Sequence, residues 1–155
     1  MSVADNLYRE IILDHYRNPR YKGELPPPAM KVEGANPLCG DELAIYLEIK
    51  ENRLADLRIQ TRGCSISCAS ASMMAEAIQG KELSEIDKII EQFKEMMLQE
   101  NGTPESAEEL GDLEALQGVK KYPVRIKCAL LPWNTLIEAL KAVRNKKPAE
   151  KVVME

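Results

Sequence analysis

The sequence is poor in aromatic residues and lacks long apolar runs. Aromatic side chains make up 5% of the chain, which contains one Trp, one Phe and one His. No apolar run approaches the roughly 18 residues that a membrane span requires, and residues 1–9 mix charged and polar side chains where a signal peptide would be apolar. We therefore expect a cytoplasmic protein with no membrane partner.

An excess of positive charge is also missing. The chain has 21 Lys and Arg against 25 Asp and Glu, which gives a formal net charge of −4 at pH 7. Nucleic-acid-binding domains usually present a basic face. The composition therefore argues against a nucleic-acid partner.

Four cysteines stand out among the 155 residues. A chain of this length can bury roughly 68–70% of the surface that its unfolded form exposes, so its core does not depend on disulfides. Thiols stay reduced in the cytoplasm. The cysteines therefore indicate metal or sulfur chemistry.

Hydrophobic periodicity predicts both helices and a small sheet. Aliphatic residues alternate from Leu43 to Ile49 and again from Leu57 to Thr61, around a turn at residues 51–53, which is typical of an antiparallel hairpin. Residues 30–35 could add a short edge strand after the proline-rich connector 23–29. The predicted helices span residues 4–16, 67–78, 83–97, 123–131 and 133–143.

Residues 99–119 differ from the rest of the chain. They are acidic and interrupted by glycine and proline, which indicates an insertion with one short helix. We predict a single domain over residues 1–145, followed by a basic tail over 146–155. Its class is α+β, with a small antiparallel sheet of about three strands covered by helices.

Cysteines flank the two strands of the predicted hairpin. Cys39 and Asp41 precede one strand, and Cys64 follows the other. A residue just before one strand lies near a residue just after its antiparallel partner, so these three should converge at one end of the sheet. Cys128, on a late helix, is the candidate for a third thiol there.

Three thiolates and one carboxylate suit Zn²⁺, and the same sulfurs can also hold an iron–sulfur cluster. The alternative is that the cysteines are separate, buried small hydrophobes, which is how free Cys usually behaves. Arg125 lies one helical turn before Cys128, and Lys127 is adjacent to it, so a thiolate there could have positive surroundings. An Arg and a Lys on a solvated helix face are equally compatible with this spacing.

Several motifs resemble those of a known family over about residues 7–140. They are residues 39–41 (Cys-Gly-Asp), 63–67 (Gly-Cys-Ser-Ile-Ser), 125–133 (Arg-Ile-Lys-Cys-Ala-Leu-Leu-Pro-Trp) and 14–20 (Asp-His-Tyr-Arg-Asn-Pro-Arg). On these motifs the chain resembles the IscU/SufU (NifU N-terminal-like) family of iron–sulfur cluster assembly. It is more similar to the SufU branch, because Lys127 stands where classical IscU has a His and residues 99–119 look like the SufU insertion.

The resemblance implies a SufU/IscU-like fold and a Zn²⁺ ion held by Cys39, Asp41, Cys64 and Cys128. It also implies that Cys39 accepts persulfide sulfur from a SufS-type cysteine desulfurase and passes it on to downstream Suf assembly or apo iron–sulfur proteins. The chain would then be at most a zinc-dependent sulfurtransferase. Two alternatives are an IscU-like scaffold that assembles a [2Fe–2S] cluster on the same cysteines and a structural zinc domain without sulfur transfer.

Two further residues invite a role at the metal. Cys68 follows Cys64 by four residues and departs from the family pattern. It could be a spare ligand or a resolving thiol, but we interpret it as a helix core residue, because free Cys is usually buried. His15 lies far from the thiol motifs in sequence, so we expect it to form hydrogen bonds near a helix end.

Overall fold

Helices cover a four-stranded mixed sheet, which confirms the α+β class. The computed structural model describes residues 3–99 and 105–154. The helices are α1 (Val3–Arg17), α2 (Ser65–Ile78), α3 (Leu83–Leu98) and α4 (Pro123–Asn145), with a 3₁₀ segment at Glu105–Lys121. The strands are β1 (Met30–Asn36), β2 (Asp41–Lys50), β3 (Arg53–Arg62) and β4 (Val152–Val153).

The strand order in the sheet is β3-β2-β1-β4. Strand β2 pairs antiparallel with β1 and β3, whereas β4 runs parallel to β1. The prediction of about three antiparallel strands was therefore one strand short, and β1 is an inner strand rather than an edge. The two residues of β4 lie in the basic tail and are too few to show a periodic pattern.

The predicted hairpin is confirmed as β2 and β3. Leu43, Ile45 and Leu47 are at most 6% exposed, so one face of β2 is covered along its length. Glu51 and Asn52 both adopt positive φ (52° and 61°), as in the two-residue turns whose twist matches that of the strands they join.

The last helix is one element rather than two. A helix end at Pro132 is expected because proline lacks an N–H and clashes with the preceding turn. Instead α4 continues through Pro132, which lies inside the helix. Trp133 is fully buried and stacks on Phe93 with ring centroids 4.3 Å apart. This packing stabilises the continuation of α4 after Pro132. The prediction of separate helices was wrong because tertiary packing outweighs the local break.

Helices α2 and α4 are joined through a buried serine. Ser70 Oγ donates a hydrogen bond to the carbonyl of Ala129 at 2.6 Å and accepts one from Trp133 Nε1 at 3.1 Å. Ser70 is fully buried, so both bonds form in a low-dielectric environment. They hold the two helices side by side.

His15 connects α1 to two other parts of the fold. Its Nδ1 lies 2.8 Å from Ser72 Oγ on α2, and its Nε2 lies 2.9 Å from Asp112 Oδ2 in the 3₁₀ segment. The side chain is fully buried. The structure therefore confirms the predicted hydrogen-bonding role of His15.

The acidic stretch packs against the helices. The 3₁₀ segment bends at Gly111 (φ 59°, ψ −128°), and its Leu113, Leu116 and Val119 belong to the hydrophobic core. Residues 100–104 of the predicted insertion 99–119 lie outside the described residues. None of the helices within residues 3–99 and 105–154 is both long enough and apolar enough to cross a bilayer.

Gly34 provides a test of the packing between β1 and α4. A Cβ atom at this position would overlap Thr135 Oγ1 and would lie 3.2 Å from the side chains of Leu131 and Leu43. We expect Gly34→Ala to lower the free energy of unfolding by roughly 1–3 kcal/mol, because an added methyl group in a filled core forces its neighbours to shift. Denaturant unfolding measures this change.

Gly118→Ala is the matched control. Among the side chains that the structure describes, a Cβ there would meet only Tyr8 Cδ2, at an ordinary contact distance of 3.9 Å. Its effect should stay within about 0.5 kcal/mol. Equal losses in the two variants would show that crowding at Gly34 is not the cause.

Candidate metal centre

The loop between β1 and β2 carries Cys39. The backbone N–H of Cys39 donates to the carbonyl of Asn36 at 3.2 Å, which closes a turn over residues 36–39. Gly40 then adopts a positive φ of 70°, a conformation that glycine adopts without strain. Cys39 is half-buried, and Asp41 begins β2 directly after this loop.

The other end of the hairpin brings Cys64 next to Asp41. Cys64 is the N-cap residue of α2, and its backbone N–H donates to Asp41 Oδ1 at 2.8 Å. Gly63 makes this approach possible, because a Cβ there would lie 2.7 Å from Asp41 Cα, and its φ of 134° also favours glycine. The predicted convergence therefore holds for the backbone of Cys64 and the side chain of Asp41.

Cys128 reaches the same point from α4. Its Sγ lies 3.2 Å from Cys39 Sγ, and the side chain is fully buried. One ligand atom from each of Cys39, Asp41 and Cys128 lies within 4.8 Å of the others. These three side chains form a cluster that we call the thiol cluster.

The Cys64 sulfur is outside the thiol cluster. Cys64 Sγ accepts a hydrogen bond from the backbone N–H of Ser67 at 3.5 Å and also lies 3.7 Å from Ser67 Oγ. The structure thus brings together three of the four predicted ligand atoms, while the fourth caps α2 beside them.

The Asp41 carboxylate is the least satisfied group of the cluster. It is 1% exposed, and its Oδ2 has no hydrogen-bond partner among the described residues. An unpaired buried carboxylate is costly unless a cation or a donor compensates it. A divalent ion would satisfy this oxygen, and two thiols with a carboxylate are donors that Zn²⁺ accepts.

The Cys128 thiol is held in its protonated form in the absence of a cation. Burial raises the pKa of Cys128 well above its usual value, and the neighbouring Cys39 thiol and Asp41 carboxylate raise it further. A metal ion would reverse this preference, because it binds the thiolate and displaces the proton.

Two basic residues flank Cys128 on α4. The guanidinium of Arg125 is exposed, and its pKa is raised first by the charge of Cys64 and then by contact with Cys128. Cys39 contributes to the same shift, and Arg125 lines the same cavity as Cys64. Lys127 is half-buried next to Cys128 in the chain.

Sequence reasoning missed Asn36. This residue is 1% exposed at the end of β1, and its Nδ2 donates to Cys128 Sγ at 3.6 Å. A buried amide can orient the sulfur and stabilise its charge. The only signal in the sequence is a polar side chain at the end of a predicted strand, three residues before Cys39.

Cys68 and His15 lie apart from the thiol cluster. Cys68 is 5% exposed, its Sγ lies 3.8 Å from the Gly63 carbonyl, and burial raises its pKa. His15, Glu76 and Asp112 also place ligand atoms within 4.8 Å of one another. That second group already has partners, because Ser72 bonds His15 and Arg20 Nε lies 3.4 Å from Glu76.

Comparisons with known proteins agree with this geometry. The family described as NifU-like N terminal domain matches residues 7–129. The zinc-dependent sulfurtransferase SufU of Bacillus subtilis is 44% identical over 132 residues, which cover 85% of this chain and 88% of that protein. The iron–sulfur cluster assembly scaffold protein IscU of Streptococcus pyogenes is 38% identical over 146 residues, which cover 94% of this chain and 89% of that protein.

Solved structures show the same relationship. A crystal structure from Fervidobacterium islandicum AW-1, described as an iron–sulfur cluster assembly scaffold protein for the SUF system, has a TM-score of 0.75 and 34% identity. The match covers 83% of this chain and 92% of that chain. The chain therefore belongs to the NifU-like N-terminal domain family, as an iron–sulfur cluster assembly protein of the SufU/IscU type.

Proposed function

We propose that this chain is a SufU-type sulfur acceptor that takes persulfide sulfur from a SufS-type cysteine desulfurase. The observation that carries the proposal is the thiol cluster, in which two thiols and a buried carboxylate with an unsatisfied oxygen lie within 4.8 Å. The name of the Bacillus subtilis relative, a zinc-dependent sulfurtransferase, supports it.

Cys39, Asp41, Cys64 and Cys128 would hold the zinc ion. Zinc has no redox chemistry, so it would supply charge that keeps thiols deprotonated. The Cys64 sulfur would join the set by exchanging its contact with Ser67, which is a weak sulfur hydrogen bond at 3.5 Å.

Cys39 is the best placed acceptor of the candidate ligands. It is half-buried on a loop followed by Gly40, whereas Cys128 is fully buried on a helix. The Cys39 thiolate attacks the terminal sulfur of the desulfurase persulfide, so a new S–S bond forms at Cys39 and the desulfurase cysteine leaves as thiolate. Arg125 lines the same cavity as Cys64, and its guanidinium would stabilise the negative charge on the new persulfide.

An IscU-like scaffold that assembles a [2Fe–2S] cluster is the second candidate. Relatives named IscU cover almost the whole chain, and the same thiols can hold a cluster. Lys127, where classical IscU has a His, favours the sulfur acceptor. Metal analysis and a visible spectrum of protein purified without air separate the two, because zinc is colourless and a cluster absorbs visible light.

Cys39→Ala tests sulfur acceptance. We expect this variant to lose its stimulation of alanine release from cysteine by a SufS-type desulfurase, because the attacking sulfur is gone. Cys68→Ala is the matched control and should retain stimulation, since Cys68 packs outside the thiol cluster. Full stimulation by Cys39→Ala would show that Cys39 is not the acceptor, and turnover that neither the unsubstituted chain nor the variant changes would favour a structural zinc domain.

Arg125→Gln tests the role of the guanidinium. The rate of sulfur transfer should fall about tenfold or more, since a hydrogen bond to a charged group contributes about 1.5–3 kcal/mol. Zinc content should not change. Arg144→Gln is the control, because Arg144 pairs with Asp87 at the far end of the same helix. A rate equal to that of the control would remove Arg125 from the mechanism.

Zinc affinity should rise with pH. The pKa of Cys128 is raised in the absence of metal, so its proton remains bound at neutral pH and must leave when zinc binds. For each proton that is released on binding, the zinc affinity rises about tenfold per pH unit. Competition with a chromophoric chelator across a pH series measures the slope. In Cys128→Ser the slope should correspond to about one proton fewer. An unchanged slope would contradict the assignment of Cys128 as a ligand that loses its proton when zinc binds.

A further inference from the structure

The sulfur atoms of Cys39 and Cys128 are close enough to react with each other. They lie 3.2 Å apart, and a disulfide requires an S–S distance of about 2.05 Å. A movement of about 1.2 Å therefore joins them. Cys39 lies in a loop that can supply this movement, because the following Gly40 has a positive φ and a Cβ there would meet no atom of the described residues within 4 Å, its chain neighbours aside.

The other two thiols are engaged elsewhere. Cys64 Sγ contacts Ser67 in the first turn of α2, and Cys68 Sγ contacts the Gly63 carbonyl. Neither contributes a ligand atom to the thiol cluster. Cys39 and Cys128 are thus the pair whose sulfur atoms are in direct contact, at 3.2 Å.

Exposure distinguishes the roles of the two sulfurs. Cys39 is half-buried and follows Leu38, which is 69% exposed, so a small oxidant reaches Cys39 from solvent. Cys128 is fully buried behind it. An accessible thiol with a second thiol in contact is the arrangement typical of redox-sensing cysteines.

We propose that Cys39 and Cys128 are a redox modification site, which a peroxide converts to an intramolecular disulfide when no metal is bound. The Cys39 thiolate attacks one peroxide oxygen, so an S–O bond forms, the O–O bond breaks and hydroxide leaves. The hydroxide takes the Cys128 proton and becomes water. The Cys128 sulfur then attacks Cys39 sulfur, and the leaving hydroxide takes the proton that Cys39 had released. The two thiols lose two electrons, and the peroxide becomes two waters.

The disulfide removes two of the predicted ligands and the predicted sulfur acceptor in one step. Metal binding and the disulfide therefore exclude each other, and a bound metal protects the chain from oxidation. This inference goes beyond the proposed function, because it requires neither a desulfurase nor transferred sulfur.

Peptide mapping tests the proposal directly. The metal-free chain is treated with hydrogen peroxide, alkylated and digested with trypsin, whose cleavage after Lys and Arg places Cys39 in residues 32–50, Cys64 and Cys68 together in 63–81, and Cys128 in 128–141. We expect peptides 32–50 and 128–141 to be linked. Before alkylation and digestion, the mass of the whole chain should fall by two hydrogen atoms. A dithiol reductant should restore both the free peptides and zinc binding.

Zinc is the probe for protection. With free zinc at about 100 times its Kd, about one site in a hundred is empty, so the link should form about 100-fold more slowly. Cys39→Ser and Cys128→Ser should each abolish the link, whereas Cys64→Ser and Cys68→Ala should retain it. In Cys128→Ser, Cys39 should proceed to the sulfinic acid, because its partner is missing.

Three results would overturn the proposal. They are a link between peptides 32–50 and 63–81 in the unmodified chain, oxidation of Cys39 to the sulfinic acid while Cys128 can still be alkylated, and a rate that zinc does not change.

Discussion

The hydrogen bond between the Cys64 backbone N–H and the Asp41 carboxylate ties the two ends of the hairpin together. It joins the start of β2 to the N-terminus of α2 at 2.8 Å, and Gly63 permits the close approach. One carboxylate oxygen is thereby used, and the other is left buried without a partner. The cluster as a whole depends on this arrangement, because an unpaired buried oxygen beside thiols favours a bound cation.

The elements around the cluster differ in rigidity. Asp41 lies on an inner strand, and Cys64 and Cys128 lie at the beginnings of α2 and α4, which Ser70 holds side by side. Of the candidate ligands, Cys39 is the one that neither lies in nor directly adjoins a helix or strand. Rigid elements position groups more precisely than loops do, whereas a loop lets its sulfur move. This freedom of the loop to move suits Cys39 both for accepting sulfur and for pairing with Cys128.

Local patterns predicted the parts of the fold that depend on periodicity. The alternation in β2 and β3 and the positive-φ turn between them are properties of a short segment, so the hairpin was predictable. Strand β4 was not, because it pairs with residues more than one hundred positions earlier and is two residues long. The continuous α4 was missed for a related reason, since the burial of Trp133 outweighs the local effect of Pro132.

The sequence was enough to predict which residues could meet at the end of the hairpin, because antiparallel pairing places the residue before one strand next to the residue after the other. It also determined the family, through motifs at fixed positions. Three features of the site were not predictable in this way: the Cys128 sulfur lies 3.2 Å from the Cys39 sulfur, Asn36 donates to the Cys128 sulfur, and the Cys64 sulfur lies outside the thiol cluster. Those distances depend on how α4 packs on the sheet, and such packing is set by contacts between residues remote in the chain.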